Sequence, residues 1–473
     1  MKKLGLGIAA LIILVAAVAP KFVASSIDTQ LHEIVTRISD HPGYEAELVE
    51  ISQGWFGTQA KIKLTADLAA FGADADSPAW KDMSELAVML DVNAGHGLIL
   101  TGEQPGLGWV DWLVVIQGDA LRGRLEWPAE QPFYRFLGTT DLLGKTHYQD
   151  QISMFSAQNS DNTVEFSFSG LKGTGLASKE GLAYRGVADS FTVVSDRSDF
   201  KLQQASLDVT MESDWLAAIE EGLYNSAARF DIAHIEVSQM ETQQYGKLDG
   251  IFVTSNSVVS ADKTLADFKV SYGLKAFEVN QYQGSDLGLD VEINRVSADF
   301  VKAYREFAQA NVGLPAEELQ ANTRQWLNQN LLAQLQVNPE VKITSLHGTL
   351  PEGQFSSNAR AGVIDIDSLP DTLEDKTFGF EYMLVNGNVS AEEQVVDLVA
   401  SLFMSSQLKA NPQAANMPEE QFAQIVAMQT PVMIDSMVER GFLQKTATGY
   451  SADFNIQDGK AKINALEIPL AQR

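Results

Sequence analysis

Residues 43–64 read GYEAELVEISQGWFGTQAKIKL. Beyond the central Gly-Trp-Phe-Gly step, Ala60, Ile62 and Leu64 alternate with Lys61 and Lys63, which is the period of a strand with one face buried. The segment before the step also mixes apolar and polar residues in short alternation, so the stretch predicts two strands joined by a corner. Gly54 and Gly57 permit the tight bend, while Trp55 and Phe56 suit the end of a sheet, where each would bury roughly 150–250 Å². A ligand contact at the same two aromatics is the competing reading. It would require a variant lacking Trp55 to lose binding while keeping its melting temperature.

Working outward, the alternation recurs. It is found in TVEFSFSG from Thr163, FKLQQASLDVTM from Phe200, FDIAHIEVSQM from Phe230 and LADFKVSYGLKAFEV from Leu265. Short strands joined by Gly, Asn, Asp and Ser turns imply mostly antiparallel sheet. Helical spacing marks other segments: Ile27, Leu31, Ile34, Val35 and Ile38 form one stripe, Leu319, Trp326, Leu327 and Leu331 another, and Phe422, Ile425 and Val426 a third. Pro431 is expected to kink or end the last of these, and Gly441 to close its continuation. Three strands also hand over to helices behind a serine, at Ser213, Ser297 and Ser390, the last forming a capping box with Glu393. At the end of the chain, Asp458-Gly459 separates two alternating runs and predicts a hairpin within 450–470.

The fold class expected is therefore α+β and β-rich: a long, curved, mostly antiparallel sheet with flanking amphipathic helices, following a single N-terminal transmembrane anchor. The chain divides on this reading into a membrane segment (1–21), a strand-rich part (22–200) and a strand-and-helix part (201–473). Lys2 and Lys3 precede an apolar run over residues 4–19, which as a helix spans about 24 Å. Ala17-Val18-Ala19 resembles a peptidase site, but Pro20 follows directly, favouring an uncleaved anchor over a cleaved export signal. The basic residues place the N-terminus inside and the body outside.

Composition removes whole classes of function. A chain of 473 residues that is 45% apolar folds into a sizeable core. Its formal charge of −28 repels phosphate backbones and anionic lipid headgroups within a Debye length, so nucleic acid is not expected as a partner. It contains no cysteine, which excludes disulfides, thiolate metal sites and cysteine nucleophiles.

No catalytic signature survives inspection. GTTDLLGKT (138–146) ends like a phosphate loop, but five residues separate its glycines where four are needed, and a turn before Tyr148 explains it. The histidines at 32, 41, 96, 147, 234 and 347 show no pair at metal-binding spacing. His234 is expected on a solvent face opposite Ala233, Ile235 and Val237, and His96, between Gly95 and Gly97, in a turn near a cleft. Of the acidic pairs, Glu220-Glu221, Glu317-Glu318, Glu392-Glu393 and Glu419-Glu420, three fall in the first turns of predicted helices, where the macrodipole favours them. Trp109 and Trp112, beside glycines in GLGWVDWL, suit packing, a groove for an apolar ligand or the membrane surface. No cofactor or metal is expected.

Taken in order, several features resemble the YdgA-like family of bacterial proteins. They are the dibasic start and short anchor, the Gly-Trp-Phe step, His96-Gly97 some forty residues on, the strand-rich body, and a closing hairpin with Gly459 before Asn464. Two local departures stand out: Leu98-Ile99 where the family tends to have Pro-Phe, and Ala465 where it tends to have Gly. The resemblance implies attachment to the inner membrane of a Gram-negative cell with the body in the periplasm. It supplies no catalytic residues, because the family is a domain of unknown function. Three functions follow as expectations. The first is a non-enzymatic binding or scaffolding protein of the envelope, holding lipid or peptide on its sheet or meeting an envelope protein. The second is an envelope-polymer hydrolase using two carboxylates, and the third is a structural homo-oligomer.

Overall fold

Alternation with a period of two needs a partner for its apolar face, and in the computed structural model that partner is the helix that precedes the first strand. The structure describes residues 27–40, 43–54, 57–67, 85–97, 99–159, 161, 163–213, 223–312, 314–370, 381–410 and 417–468. Among them are 24 strands and five helices. They form two compact units, one of residues up to 245 with 256–259 and 301–326, the other of 246–255, 260–300 and 327 onward. The expected anchor (4–19), Trp55, Phe56 and the helix expected after Ser213 lie outside the described residues. No described helix is long and apolar enough to cross a membrane.

In the first unit, helix α1 (Ile27–Ser39) buries Leu31, Ile34 and Ile38 against β1 (Tyr44–Gln53), β2 (Gly57–Asp67) and β3 (Glu85–His96). Ala46, Ala60, Ile62, Leu64, Leu90 and Ala94 meet that stripe from the sheet. Between Leu48 and Glu50 the β1–β2 register slips by one residue, and the extra residue, Val49, is exposed. This bulge keeps Ile51 opposite Ala60 and sends Glu50 outward, where it pairs with Lys61 at 3.0 Å.

A small hairpin, β4 (Ile99–Leu100) with β5 (Gly106–Leu107), precedes β6 (Val110–Ile116), β7 (Tyr134–Thr140) and β8 (Thr146–Ile152). Then come β9 (Phe155–Gln158), β10 (Val164–Phe168), β11 (Leu171–Ala177), β12 (Leu182–Ser195), β13 (Ser198–Met211) and β14 (Ser226–Gln239). Antiparallel pairing runs β1-β2-β3-β6-β7-β8-β11-β12-β13-β14. The other end of β12 takes β10, which in turn takes β9. Aromatic side chains cross these strands on the core face: Trp112 lies 4.4 Å from Phe136, Phe136 5.9 Å from Tyr148, and Tyr148 stacks on Tyr184 at 6.3 Å. Trp112 fits because its neighbour across the ladder is Gly138, where a Cβ would overlap the indole.

Asp150 sits among these rings, 3% exposed, with one oxygen receiving the Tyr184 hydroxyl at 3.3 Å and the other without a protein partner. Burial pushes its carboxyl up to about 6, against the Tyr184 hydrogen bond, which pulls the other way. The same burial raises the Tyr134, Tyr148 and Tyr184 hydroxyls, with the Asp150 charge adding to each.

Strand β15 (Gln244–Val259) and helices α2 (Ala298–Ala310) and α3 (Ala316–Gln336) each divide between the two units. Trp326 of α3 packs on Tyr304 and Phe307 of α2 at 5.6 and 5.4 Å. The second unit is largely a meander. Strands β16 (Leu265–Val279), β17 (Tyr282–Ser297), β18 (Glu340–Leu350), β19 (Gly353–Val363) and β20 (Met383–Glu392) pair in sequence. After α4 (Glu393–Ala410), α5 (Glu419–Glu439) and β21 (Gln444–Lys445), strand β22 (Gly449–Gln457) joins β20, followed by β23 (Lys460–Ile463) and β24 (Leu466–Ile468). Buried Glu340 takes Lys342 at 2.6 Å and Arg360; desolvation works against its charge, but the two cations hold its carboxyl below the usual value.

Two local expectations need correction. Ser390 does not cap a helix: it pairs with Ser356 and Ser451 inside β20, and α4 starts three residues later, because the ladders to β19 and β22 hold this backbone extended through Glu392. His234 is half-buried beside Glu236 and shares a face with buried Ile232, while Ala233 and Val237 are exposed. Apolar content therefore picked the wrong face of β14. As for α5, it continues through Pro431, with Val426 and Ile434 buried on either side, and closes at Arg440 and Gly441 (φ 78°).

Asn464 turns the chain between β23 and β24 at φ 53°. Its amide donates to the carbonyls of Gly441 and Phe442 at 2.9 and 3.1 Å, and its side-chain oxygen accepts from Asp453 N at 2.9 Å. The last hairpin is thus tied to the end of α5. Asn464→Asp would set a carboxylate against two carbonyls and should cost about 2 kcal/mol or more in chemical denaturation; a variant as stable as the native chain would refute that role.

The Asp150 carboxyl yields a second test. Its folded value of about 6 exceeds the roughly 3.9 of an unfolded aspartate. The folded chain therefore keeps a proton that the unfolded chain has lost, so this group's contribution falls as pH rises from about 4 to 6, by about 3 kcal/mol in all. Asp150→Asn should gain stability relative to the native chain at pH 8 and little at pH 4. Equal gains at both values would contradict it.

Candidate functional site

The face of the first sheet opposite α1 carries the clearest cleft among the described residues. Strand alternation assigns its floor: Gly57, Gly95, Asp111 and Thr139 form one cross-strand row, and Gln59, Asn93, Leu113 and Leu137 the next. The rim at one side is the turn between β1 and β2, closed by the Gly54 N–H donating to Gly57 O at 2.7 Å. The other side is the loop Thr101–Pro105 between β4 and β5. Two contacts tie this loop to the sheet: Glu103 pairs with Arg135 at 2.6 Å, and the Thr139 hydroxyl donates to the Gln104 carbonyl oxygen at 3.2 Å. Together these residues enclose about 860 Å³. Ser52, Gln53, Thr58, Gln59, Asn93, Thr101 and Gln104 make the lining rich in amides and hydroxyls.

Asp111 is the chemical centre of this cleft. It is 7% exposed, and its Oδ1 has no hydrogen-bond partner among the protein groups. Glycine makes the position possible. A Cβ on Gly95 would overlap Oδ1, and one on Gly102 would overlap Oδ2, so the carboxylate is wedged between strand β3 and the loop. A buried, ionisable acceptor is costly to leave unpaired, which makes such a group a marker for binding or chemistry. Among the described residues no cluster of three His, Asp or Glu side chains is placed to hold a metal ion.

Of the residues picked out from the sequence, Trp112 and the two glycines of the Gly-Trp-Phe-Gly step line this cleft, and His96 and Trp109 do not. Trp112 borders it from within the core, buried to 7% exposure. His96, expected in a turn near a cleft, is instead the last residue of β3, half-buried on the core face because the ladder pairs it with Val110, and the chain turns only after it, at Gly97 (φ 140°). Trp109 is exposed at the end of the sheet, its indole N–H donating to Leu142 O at 3.1 Å. Of the Gly-Trp-Phe-Gly step, Gly54 lines the rim and Gly57 the floor, while Trp55 and Phe56 lie outside the described residues. The turn read in GTTDLLGKT is present between β7 and β8, where Asp141 Oδ1 accepts from Leu143 N and Lys145 N at 2.8 and 2.9 Å.

Asp111 and the loop 101–105 were not picked out from the sequence. Only the β3–β6 register reveals that Asp111 faces a glycine.

Residues 1–471 match the family described as "Bacterial protein of unknown function (DUF945)". The chain belongs to this family. The YdgA-like resemblance is consistent with that membership. No curated protein and no solved structure matches the chain. For this member of DUF945, the cleft must be judged on its own chemistry.

The wedge can be tested apart from function. Gly102→Ala should destabilise the fold by about 1–3 kcal/mol through overpacking. The same change in an Asp111→Ala background should cost measurably less, since the carboxylate it collides with is gone. Additive effects across the four variants in a denaturation series would show that the two residues do not meet.

Proposed function

We propose that this protein is a non-enzymatic binding protein of the bacterial envelope, and that the Asp111 cleft receives its ligand. The reading sets residues 4–19 in the inner membrane of a Gram-negative cell and the body in the periplasm, with the long sheet curved around what it holds. One observation carries the binding part: a carboxylate 7% exposed, with Oδ1 unpartnered, in a cleft whose lining is rich in amides and hydroxyls and whose other acid, Glu103, is paired with Arg135. Such a site suits a ligand that presents an ammonium group to the acid and polar atoms to the rim. A lysine-bearing peptide and an ethanolamine lipid headgroup both do so.

The alternative is an envelope-polymer hydrolase using two carboxylates. It has one observation in its favour, since Glu103 also borders the cleft. Two carboxyls roughly 5–9.5 Å apart serve glycoside hydrolysis. Glu103, however, is already engaged by Arg135, which leaves Asp111 as the acid without a cation.

Both readings are tested with the full chain, offered a short lysine-containing peptide and phosphatidylethanolamine in separate titrations. Asp111→Asn should weaken whichever binds by at least about tenfold, the scale of a charged hydrogen bond. Glu103→Gln should leave binding in place. Binding indifferent to Asp111→Asn would remove the cleft from the proposal, and glycan cleavage abolished by both substitutions would favour the hydrolase.

A further inference from the structure

At the same end of the first sheet as the cleft rim, five apolar side chains stand in water. Ile99 is 74% exposed, Leu107 67%, Trp109 40%, Leu142 46% and Leu143 85%. They form one group rather than scattered points. Ile99 and Leu107 oppose each other in the β4–β5 hairpin, and Trp109 reaches the Leu142 carbonyl with its indole and the Thr140 carbonyl with its backbone N–H at 2.9 Å. An exposed apolar group of this kind signals a surface that meets something apolar.

The backbone beneath is prepared for leaving water. In the turn that carries Leu142 and Leu143, the N–H groups of Leu143 and Lys145 are bonded to Asp141 Oδ1, and Gly144 N donates to Asp141 O at 3.1 Å. The turn's one carboxylate is thereby aimed inward at its own amides. Amides satisfied within the turn lower the cost of moving it out of water as far as the headgroup layer. The side chains suit the same setting, with aliphatic groups at the tips, an indole behind them and exposed Lys145 beside them to meet headgroup phosphates.

Chain direction favours lipid over another occupant. Helix α1 enters β1 through the short connection Asp40–Gly43, and Ser39 Oγ both accepts from Ala46 N at 2.9 Å and donates to Ala46 O at 3.2 Å. Its stripe is packed against the sheet. A helix so joined runs back along its strand, and its first turn lies toward the Gln53 end of β1. Antiparallel pairing puts the ends of β3 and β7 and the start of β6 at that same end. Residues 20–26 separate the apolar run 4–19 from α1 and extend at most about 25 Å.

We propose that Ile99, Leu107, Trp109, Leu142 and Leu143 form a tip that enters the surface of the bilayer holding residues 4–19, setting the cleft rim against the lipid headgroups. The inference rests on the membrane tether proposed above, and the experiment separates the two.

Because the chain has no cysteine, Leu143→Cys offers a single site for an environment-sensitive fluorophore. Glu130→Cys, exposed in the loop at the opposite end of β6 and β7, is the control. The full-length labelled chain is reconstituted in phosphatidylethanolamine–phosphatidylglycerol vesicles with and without a headgroup-proximal quencher lipid. Co-flotation with vesicles, together with a blue shift and strong quenching at position 143 but not at 130, is the expected result. Co-flotation without quenching at 143 overturns the tip and leaves the tether. Failure to float overturns both. A blue shift at 143 that grows with protein concentration in lipid-free detergent assigns the patch to a second copy and overturns the lipid assignment.

Discussion

Helix α1 lying against one face of the first strands is the contact on which the rest of that unit depends. Once Leu31, Ile34 and Ile38 hold Ala46, Ala60 and Ile62 inward, the period of two commits every other residue of β2, β3, β6 and β7 to the far face. That rule puts Gly57, Gly95, Asp111 and Thr139 on the far face, and the registers of four strands bring them into one row. The cleft is thus a by-product of the core. What makes it distinctive is that its row holds two glycines and one acid, with space enough for a loop to close over them.

The same geometry explains why the two buried aspartates differ. Asp150 lies on the core face among Tyr134, Tyr148 and Tyr184, and its burial favours the protonated form. Asp111 lies on the opposite face, in the floor of the cleft. Both have one oxygen without a protein partner. The core acid is enclosed by tyrosine rings, whereas the cleft acid is covered by glycines of a strand and a loop.

Much of the architecture was legible beforehand, and the reasons are local. Long alternating runs such as FKLQQASLDVTM and helical stripes such as Ile27 to Ile38 carry their own period, and they became β13 and α1. The turns at Asp141–Lys145 and Asp458-Gly459 carry their own chemistry, the latter with both residues at positive φ. What failed depended on neighbours in space. Ser390 looks like a helix cap until two flanking strands claim its backbone, and His234 looks solvent-facing until Ile232 is seen buried beside it. Asp111 is silent in the sequence for the same reason: one aspartate in a strand carries no message until its ladder partner proves to be Gly95. Trp109 and Trp112 read alike in sequence, yet Trp112 lies on the core face of β6 and Trp109 stands exposed just before that strand, because an odd spacing takes them to opposite sides.

The bulge at Val49 has a further meaning. If that single amino acid were absent, Ala46, Leu48 and Ile51 would still alternate perfectly and still point at the helix, so hydrophobic burial does not require the insertion. What it changes is aim: an added kink and twist, a few positions before Ser52 to Gly54, steers where the strand delivers its last residues. The lip of the recess is in that sense shaped by a superfluous link in the chain, one whose value lies in bending the strand rather than in any contact it makes.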